Sequence, residues 1–128
     1  MAALIAETGA RFWKKYENHH YQPFLHKVKK LKKKYPNIKN DLIELLTNME
    51  NAKVSGVPIP GLFNKVYKIR AASSDMKRGK SGAYRIVYYA EDGNGKLYLL
   101  TIYAKTKRVN IPITEIQSIL KELDLKFR

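Results

Sequence analysis

Three stretches in the second half of the chain alternate apolar or aromatic residues with polar ones, and they constrain the fold more than any other feature. They are "KVYKIRAA" (65–72), "GAYRIVYYAE" (82–91) and "KLYLLTIYAK" (96–105). A period of two in β-branched and aromatic residues is typical of strands that bury one face. The last two stretches are joined by "DGNG" (92–95), a strong hairpin signal. The pattern therefore predicts a small antiparallel sheet of three to four strands.

Helical periodicity precedes and follows these strands. Apolar residues at spacings of three and four predict two helices joined at Tyr35-Pro36-Asn37, because proline ends the first pattern. The first stripe is Tyr21, Phe24, Leu25, Val28, Leu31 and Tyr35, and the second, from about residue 38 to 52, is Ile38, Leu42, Leu45, Leu46 and Met49. The segment "SGVPIPGLF" (55–63) argues against regular structure, since it holds two prolines and two glycines.

The chain closes on a third helical pattern. Thr114 and Gln117 have the spacing of a capping box, which predicts a helix start at Thr114, and the apolar face is Ile116, Ile119, Leu120 and Leu123. The predicted fold is α+β, with an N-terminal αα-hairpin packed on a small twisted antiparallel sheet and a C-terminal helix. At 128 residues we expect one domain over 1–128, with 1–18 as a lead-in.

The balance of charge indicates the kind of partner. The chain has 25 Lys and Arg against 11 Asp and Glu, a formal net charge of +14, which favours a polyanionic partner, either nucleic acid or an acidic protein. The absence of cysteine excludes disulfides, thiolate chemistry and cysteine-based zinc sites. No stretch approaches the roughly 20 apolar residues of a membrane helix, so we expect no membrane partner, and the absence of cysteine fits a cytoplasmic protein. Histidine and acid spacings predict neither a metal site nor a cofactor.

Alternation assigns the strand residues to two faces. One set would cover the helices: Tyr67, Ile69, Tyr84, Ile86, Tyr88, Tyr98, Leu100 and Ile102. The other set forms an open face with Lys68, Arg70, Arg85 and Lys105 among Val66, Val87, Tyr89, Leu97, Leu99, Thr101 and Tyr103. This second set contains no carboxylate, which suits a backbone phosphate flanked by stacked bases. The alternative is the solvated side of a half-exposed sheet.

Three motifs follow the basic helical pair and the Pro/Gly loop, and their order and spacing resemble those of a known family. The motifs are "YKIR" (67–70), "GKSGAYRIVYY" (79–89) and "IYAK" (102–105). The chain is similar, over roughly residues 20–123, to the RelE branch of the RelE/ParE toxin superfamily, particularly its RelE-like and HigB-like members. The resemblance implies the toxin of a type II toxin-antitoxin pair. Such a toxin cuts messenger RNA on the ribosome and is inhibited by a protein antitoxin, so the expected partners are a cognate antitoxin, the ribosome and mRNA.

The resemblance also implies site residues. The positions of the family's catalytic residues fall on Lys68, Arg70, Arg85 and Lys105, and Lys80 matches a lysine of HigB-like members. Arginine is effectively always protonated, so Arg70 and Arg85 suit charge stabilisation and Lys68 or Lys105 suits proton transfer. The further candidates for RNA contact are Tyr89 and Tyr103 by stacking, and Lys107 and Arg108 by charge.

Two departures from the family pattern keep other functions open. Thr106 stands where the RelE pattern has an arginine, and "VNIPI" (109–113) lacks the tyrosine expected there. A ParE-like toxin that inhibits DNA gyrase without cleaving nucleic acid is one alternative. A catalytically inactive member that only binds RNA or an antitoxin is another. The lysines of "KVKKLKKKY" (27–35) either form a solvated helix face or bind the phosphates of ribosomal RNA.

Overall fold

The computed structural model describes residues 22–50, 55–76, 83–91, 96–108 and 110–122. Within these residues the elements are α1 (Gln22–Lys32), α2 (Ile38–Glu50), β1 (Val57–Pro58), β2 (Val66–Ala71), β3 (Tyr84–Glu91), β4 (Lys96–Ala104) and α3 (Ile113–Glu122). The four strands form one sheet in the order β1-β2-β3-β4, and each neighbouring pair is antiparallel. The predicted α+β class, with three helices and a four-stranded sheet, is confirmed.

One face of the sheet packs against residues of α1 and α2. Phe24 and Val28 of α1 and Leu42 and Leu46 of α2 are buried in one cluster with strand residues that include Ile69, Tyr84, Ile86, Tyr88 and Ile102. The apolar stripes of the sequence predict these contacts, because residues three and four apart lie on one side of a helix. Burial of this apolar area is the main source of stability for a domain of this size.

The opposite face of the sheet is not open, and here the sequence-based prediction is wrong. Ile116 and Leu120 of α3 are fully buried in a second cluster, together with Leu62, Val66, Val87, Tyr89, Leu100 and Tyr103. The physical reason lies in α3 itself, because an amphipathic helix must bury its apolar stripe against another element. The predicted cationic face is therefore partly covered.

A β-bulge in β4 reverses the predicted faces of Tyr98, Leu99 and Leu100, and Tyr98 packs on the α3 side. Val87 lies opposite Thr101 and Tyr88 lies opposite Leu99, so Leu100 has no residue opposite it. An extra residue in one strand shifts its alternation by one. Leu99 therefore packs with the helices α1 and α2, and Leu100 packs with α3, which is the reverse of the prediction. Simple alternation in a sequence cannot reveal such a bulge.

Two further predictions about local structure are corrected. The proline-rich segment does contain regular structure, since Val57–Pro58 pairs with β2; a proline is tolerated there because β1 is an edge strand. The last helix starts before Thr114: the carbonyl of Pro112 accepts hydrogen bonds from the backbone N–H groups of Glu115 (3.0 Å) and Ile116 (3.3 Å). Thr114 therefore lies in the first turn and not at the predicted cap.

Some predictions fall outside the described residues. These are the lead-in over residues 1–18, the hairpin turn at 92–95, Lys80, and the apolar positions Tyr21 and Leu123. Among the helices of the described part of the chain, none combines the length and apolar character that crossing a membrane requires.

Gly56 occupies a position where β1, β2 and β3 come close together. Its backbone N–H donates to the Tyr88 hydroxyl (3.0 Å), and a Cβ at this position would lie 2.6 Å from that oxygen and 3.0 Å from the carbonyl oxygen of Lys68.

We expect Gly56→Ala to lower the free energy of unfolding by about 1–3 kcal/mol, because a buried side chain and a backbone group must move. Chemical denaturation measures this. Ser55→Ala, at an exposed neighbouring position, is the control, and equal stability of both variants would contradict the close approach.

Tyr84 makes the stability of the fold sensitive to alkaline pH. Its side chain is fully buried, donates to Ser73 Oγ (3.2 Å), and packs edge-on against Tyr35. Burial raises the pKa of Tyr84 from 10.0 to about 12. Above the ordinary pKa the unfolded chain loses this proton while the folded protein keeps it, so stability falls as pH rises from about 10 to about 12. Tyr84→Phe should lose less stability over this window in denaturation measured at each pH; an identical slope would contradict the assignment.

Candidate functional site

Three of the predicted site residues form one row across the sheet. Arg70 of β2 lies directly opposite Arg85 of β3, and Arg85 lies directly opposite Tyr103 of β4. Side chains of such cross-strand pairs project from the same face, with Cβ atoms roughly 4.5–5.5 Å apart. In the next pair along the same face, Lys68 lies opposite Val87. The structure thus brings together residues that are more than 30 positions apart in the sequence.

Exposure changes sharply along this row. Arg70 is exposed, whereas Arg85 is only 8 % exposed and Tyr103 only 6 %. The sequence predicted that Arg85 is a surface cation on an open face. The structure shows instead that Arg85 is buried. It has partners within the protein, and one is the carbonyl oxygen of Tyr84, which accepts from Nη1 at 3.3 Å. Its position next to Tyr103 and Val87, which pack with α3, explains the burial.

The hydroxyl of Tyr103 is buried and has no hydrogen-bond partner among the residues that the structure describes. The guanidinium of Arg108 lies over the Tyr103 ring, 5.6 Å from its centroid. Burial raises the pKa of Tyr103 above its ordinary value, and the positive charges of Arg85 and Arg108 offset part of this rise. The phenol is therefore protonated at neutral pH and can donate a hydrogen bond.

An ion pair that the sequence did not predict holds Arg108 in this position. Arg108 Nη1 and Nη2 contact the two carboxylate oxygens of Glu115 at 3.3 Å each, and Nε donates to the carbonyl oxygen of Asn110 (3.2 Å). Both side chains are more than a third exposed. The first turn of α3 thus places a carboxylate beside this face. The two residues are seven positions apart in the sequence, and no sequence pattern marks such a pair.

The predicted lysines lie around the row at different depths. Lys68 is half-buried, and its Nζ donates to Asn110 Oδ1 at 3.4 Å. Lys105 and Lys107 are exposed in the turn after β4, and the Lys105 backbone N–H extends the sheet by donating to the carbonyl of Ala83 (3.0 Å). Lys80 lies outside the described residues.

Neither tyrosine predicted to stack on bases presents its ring at the surface. Tyr89 is 2 % exposed and packs edge-on against Tyr98, with ring centroids 5.9 Å apart. Tyr103 is buried beneath Arg108. Stacking on a base would require the α3 cluster to open at Tyr89, or Arg108 to leave the ring of Tyr103.

The cations and the Tyr103 hydroxyl at this face suit an anionic ligand, which would compete with the Glu115 carboxylate for Arg108. Within the described part of the chain, no group of three or more His, Asp or Glu side chains could hold a metal ion. Comparison with protein-family models, curated proteins and solved structures gave no match. The sequence motifs and the row of Arg70, Arg85 and Tyr103 are therefore the features that bear on function.

Glu115 competes with any external anion for Arg108. Removing its charge by Glu115→Gln should strengthen binding to heparin, because Arg108 no longer has to break an ion pair before it binds the polyanion. A half-exposed ion pair is worth about 0.2–1 kcal/mol, so we expect up to roughly a fivefold gain in affinity. Glu122→Gln, an exposed position on the same helix, changes the net charge equally and is the matched control. Equal gains for the two variants would show that only net charge matters.

Proposed function

We propose that this protein is the toxin of a type II toxin-antitoxin system and acts as a metal-independent, ribosome-dependent mRNA endoribonuclease that inhibits translation. The observation that carries the proposal is the pair Arg70 and Arg85, two like charges directly opposite each other on one face. Like charges in this position destabilise a sheet. A phosphate between them would relieve the repulsion, and the family-like motif order supports RNA as the source of that phosphate.

The residues around this pair can be assigned roles in cleavage. Without a metal, the ribose 2′-hydroxyl attacks the neighbouring phosphate, so the protein must accept a proton, donate one to the leaving oxygen and stabilise the phosphorane. Arg70 and Arg85 stabilise the charge, and the low exposure of Arg85 strengthens its interaction with an anion. Lys68 or Lys105 transfers protons, since arginine retains its own.

The remaining parts of the proposal follow from this function. A cognate antitoxin would cover the cationic residues Arg70, Lys105 and Lys107 with an acidic or amphipathic segment, and the ribosome would present the mRNA. Residues 22–50 would form the N-terminal αα-hairpin of the family fold, packed on a twisted sheet. Translation takes place in the cytoplasm, which is where we place the protein.

Removing the charge of Arg85 tests the proposal. Arg85→Met keeps most of the buried volume without the guanidinium, so folding should survive while cleavage of mRNA on translating ribosomes slows by about a hundredfold to a thousandfold. The rate is measured by primer extension with purified components, and circular dichroism and thermal unfolding confirm the fold. Lys121→Met removes one charge from an exposed position of α3 and should leave the rate unchanged.

The same assay separates the other functions that the family resemblance left open. A folded Arg85→Met variant that cleaves as fast as the wild type would contradict the proposal. Intact transcripts together with loss of DNA supercoiling activity in a parallel gyrase assay would favour the ParE-like function. Binding to RNA or antitoxin without either effect would indicate an inactive member.

A further inference from the structure

The hydroxyl of Tyr103 differs from those of other tyrosines in the sheet. Tyr67 donates to the carbonyl of Asn64 (2.8 Å), Tyr84 donates to Ser73 Oγ (3.2 Å), and Tyr88 accepts from the Gly56 N–H (3.0 Å). The Tyr103 hydroxyl has no partner in the described part of the chain, although the residue is buried, with only 6 % of its surface exposed. A buried hydroxyl without a hydrogen bond costs stability, and phenylalanine would fill the same space without that cost. Packing alone therefore does not account for a tyrosine at this position.

The surroundings of this hydroxyl are cationic. Arg85 lies opposite Tyr103 in the sheet, and Arg108 lies over its ring. Two neighbouring guanidinium groups favour a negatively charged acceptor near the phenol. Arg70, the next residue in the same row, adds a third. The ligand that satisfies the hydroxyl and also reduces repulsion among the arginines is an oxyanion with several acceptor oxygens.

We propose that the Tyr103 hydroxyl is a catalytic hydrogen-bond donor to a non-bridging oxygen of the phosphodiester held by Arg85 and Arg70. This inference rests on the proposed function and adds a residue to it. The hydroxyl stabilises the charge that develops on the phosphorane and transfers no proton, so the chemical balance of the reaction is unchanged.

Access to the hydroxyl requires a movement of Arg108. In the structure Arg108 covers the Tyr103 ring while Glu115 and the carbonyl of Asn110 hold its guanidinium. An arriving phosphate offers Arg108 a second anion and so replaces one ion pair with another. When Arg108 moves from Glu115 to the phosphate, the Tyr103 hydroxyl becomes accessible and can donate to the same phosphate. Both partners of the existing pair are more than a third exposed, which lets the exchange occur without unfolding α3.

The protonation state of the phenol fits this role. Burial raises the pKa of Tyr103, so the hydroxyl remains a donor through neutral and mildly alkaline pH. A donor that is already desolvated and unpaired has no competing bond to break when charge develops on the phosphate.

Tyr103→Phe tests the proposal because stability and activity should change in opposite directions. Thermal stability should be equal to or higher than that of the wild type, since an unsatisfied polar atom is removed. Cleavage of mRNA on ribosomes should slow by roughly tenfold to a hundredfold, the usual effect of losing one hydrogen bond to a charged group. The loss should appear in kcat/KM, because the hydroxyl donates to the phosphate both in the bound substrate and in the phosphorane. Tyr84→Phe is the matched control, because it loses a bond to Ser73 in the other cluster and should be less stable but cleave normally.

A second measurement separates failure of this inference from failure of the proposed function. Inorganic phosphate is titrated into wild type and Tyr103→Phe, with tyrosine-ring signals followed by NMR. Weaker phosphate binding by the variant supports the donor role even if the wild type cuts no RNA. Equal binding or no binding by the wild type, or an unchanged cleavage rate in a stable variant, would overturn it.

Discussion

The rest of the structure depends on the position of β3, which is hydrogen-bonded to β2 on one edge and to β4 on the other. Every residue of this strand from Tyr84 to Tyr89 is buried, so the strand is covered on both faces. Its alternating side chains connect two separate clusters, one with α1 and α2 and one with α3. Because a shift of one residue would exchange all of these side chains, the two clusters together specify the register of the sheet.

The same constraint explains why a guanidinium is buried. Arg85 lies on the α3 side of β3, with Val87 next to it on the same face of the strand, Tyr103 across it in β4 and Arg70 across it in β2. Removing a cation from water is costly unless other groups of the protein interact with it. The low dielectric that makes this burial costly also strengthens the attraction of Arg85 for an anion. A site built this way binds fewer ligands than a solvated patch, but it binds a well-placed oxyanion more tightly.

Much of this arrangement could be predicted from sequence because it depends on local periodicity. The strands over residues 66–71, 84–91 and 96–104, and the helices α1 and α2, follow from spacings of two, three and four. The bulge at Leu100 could not be predicted, because it arises from fitting β4 against β3 and leaves the alternation of residue types unchanged. The ion pair between Arg108 and Glu115 was missed for a similar reason, since it depends on where α3 docks. Docking of α3 also decides which of the predicted site residues are exposed.

The two clusters differ in how their polar groups are paired. In the cluster with α1 and α2, the tyrosines Tyr84 and Tyr88 have hydrogen bonds and apolar residues meet apolar residues. On the α3 side one row contains two arginines opposite each other, of which Arg85 is buried, and a buried hydroxyl that has no hydrogen-bond partner among the described residues. Each of these features lowers the stability of the isolated chain. Natural proteins retain such local conflicts mainly at functional sites, where a ligand resolves them. An oxyanion at this row would give the hydroxyl an acceptor and place negative charge between Arg70 and Arg85.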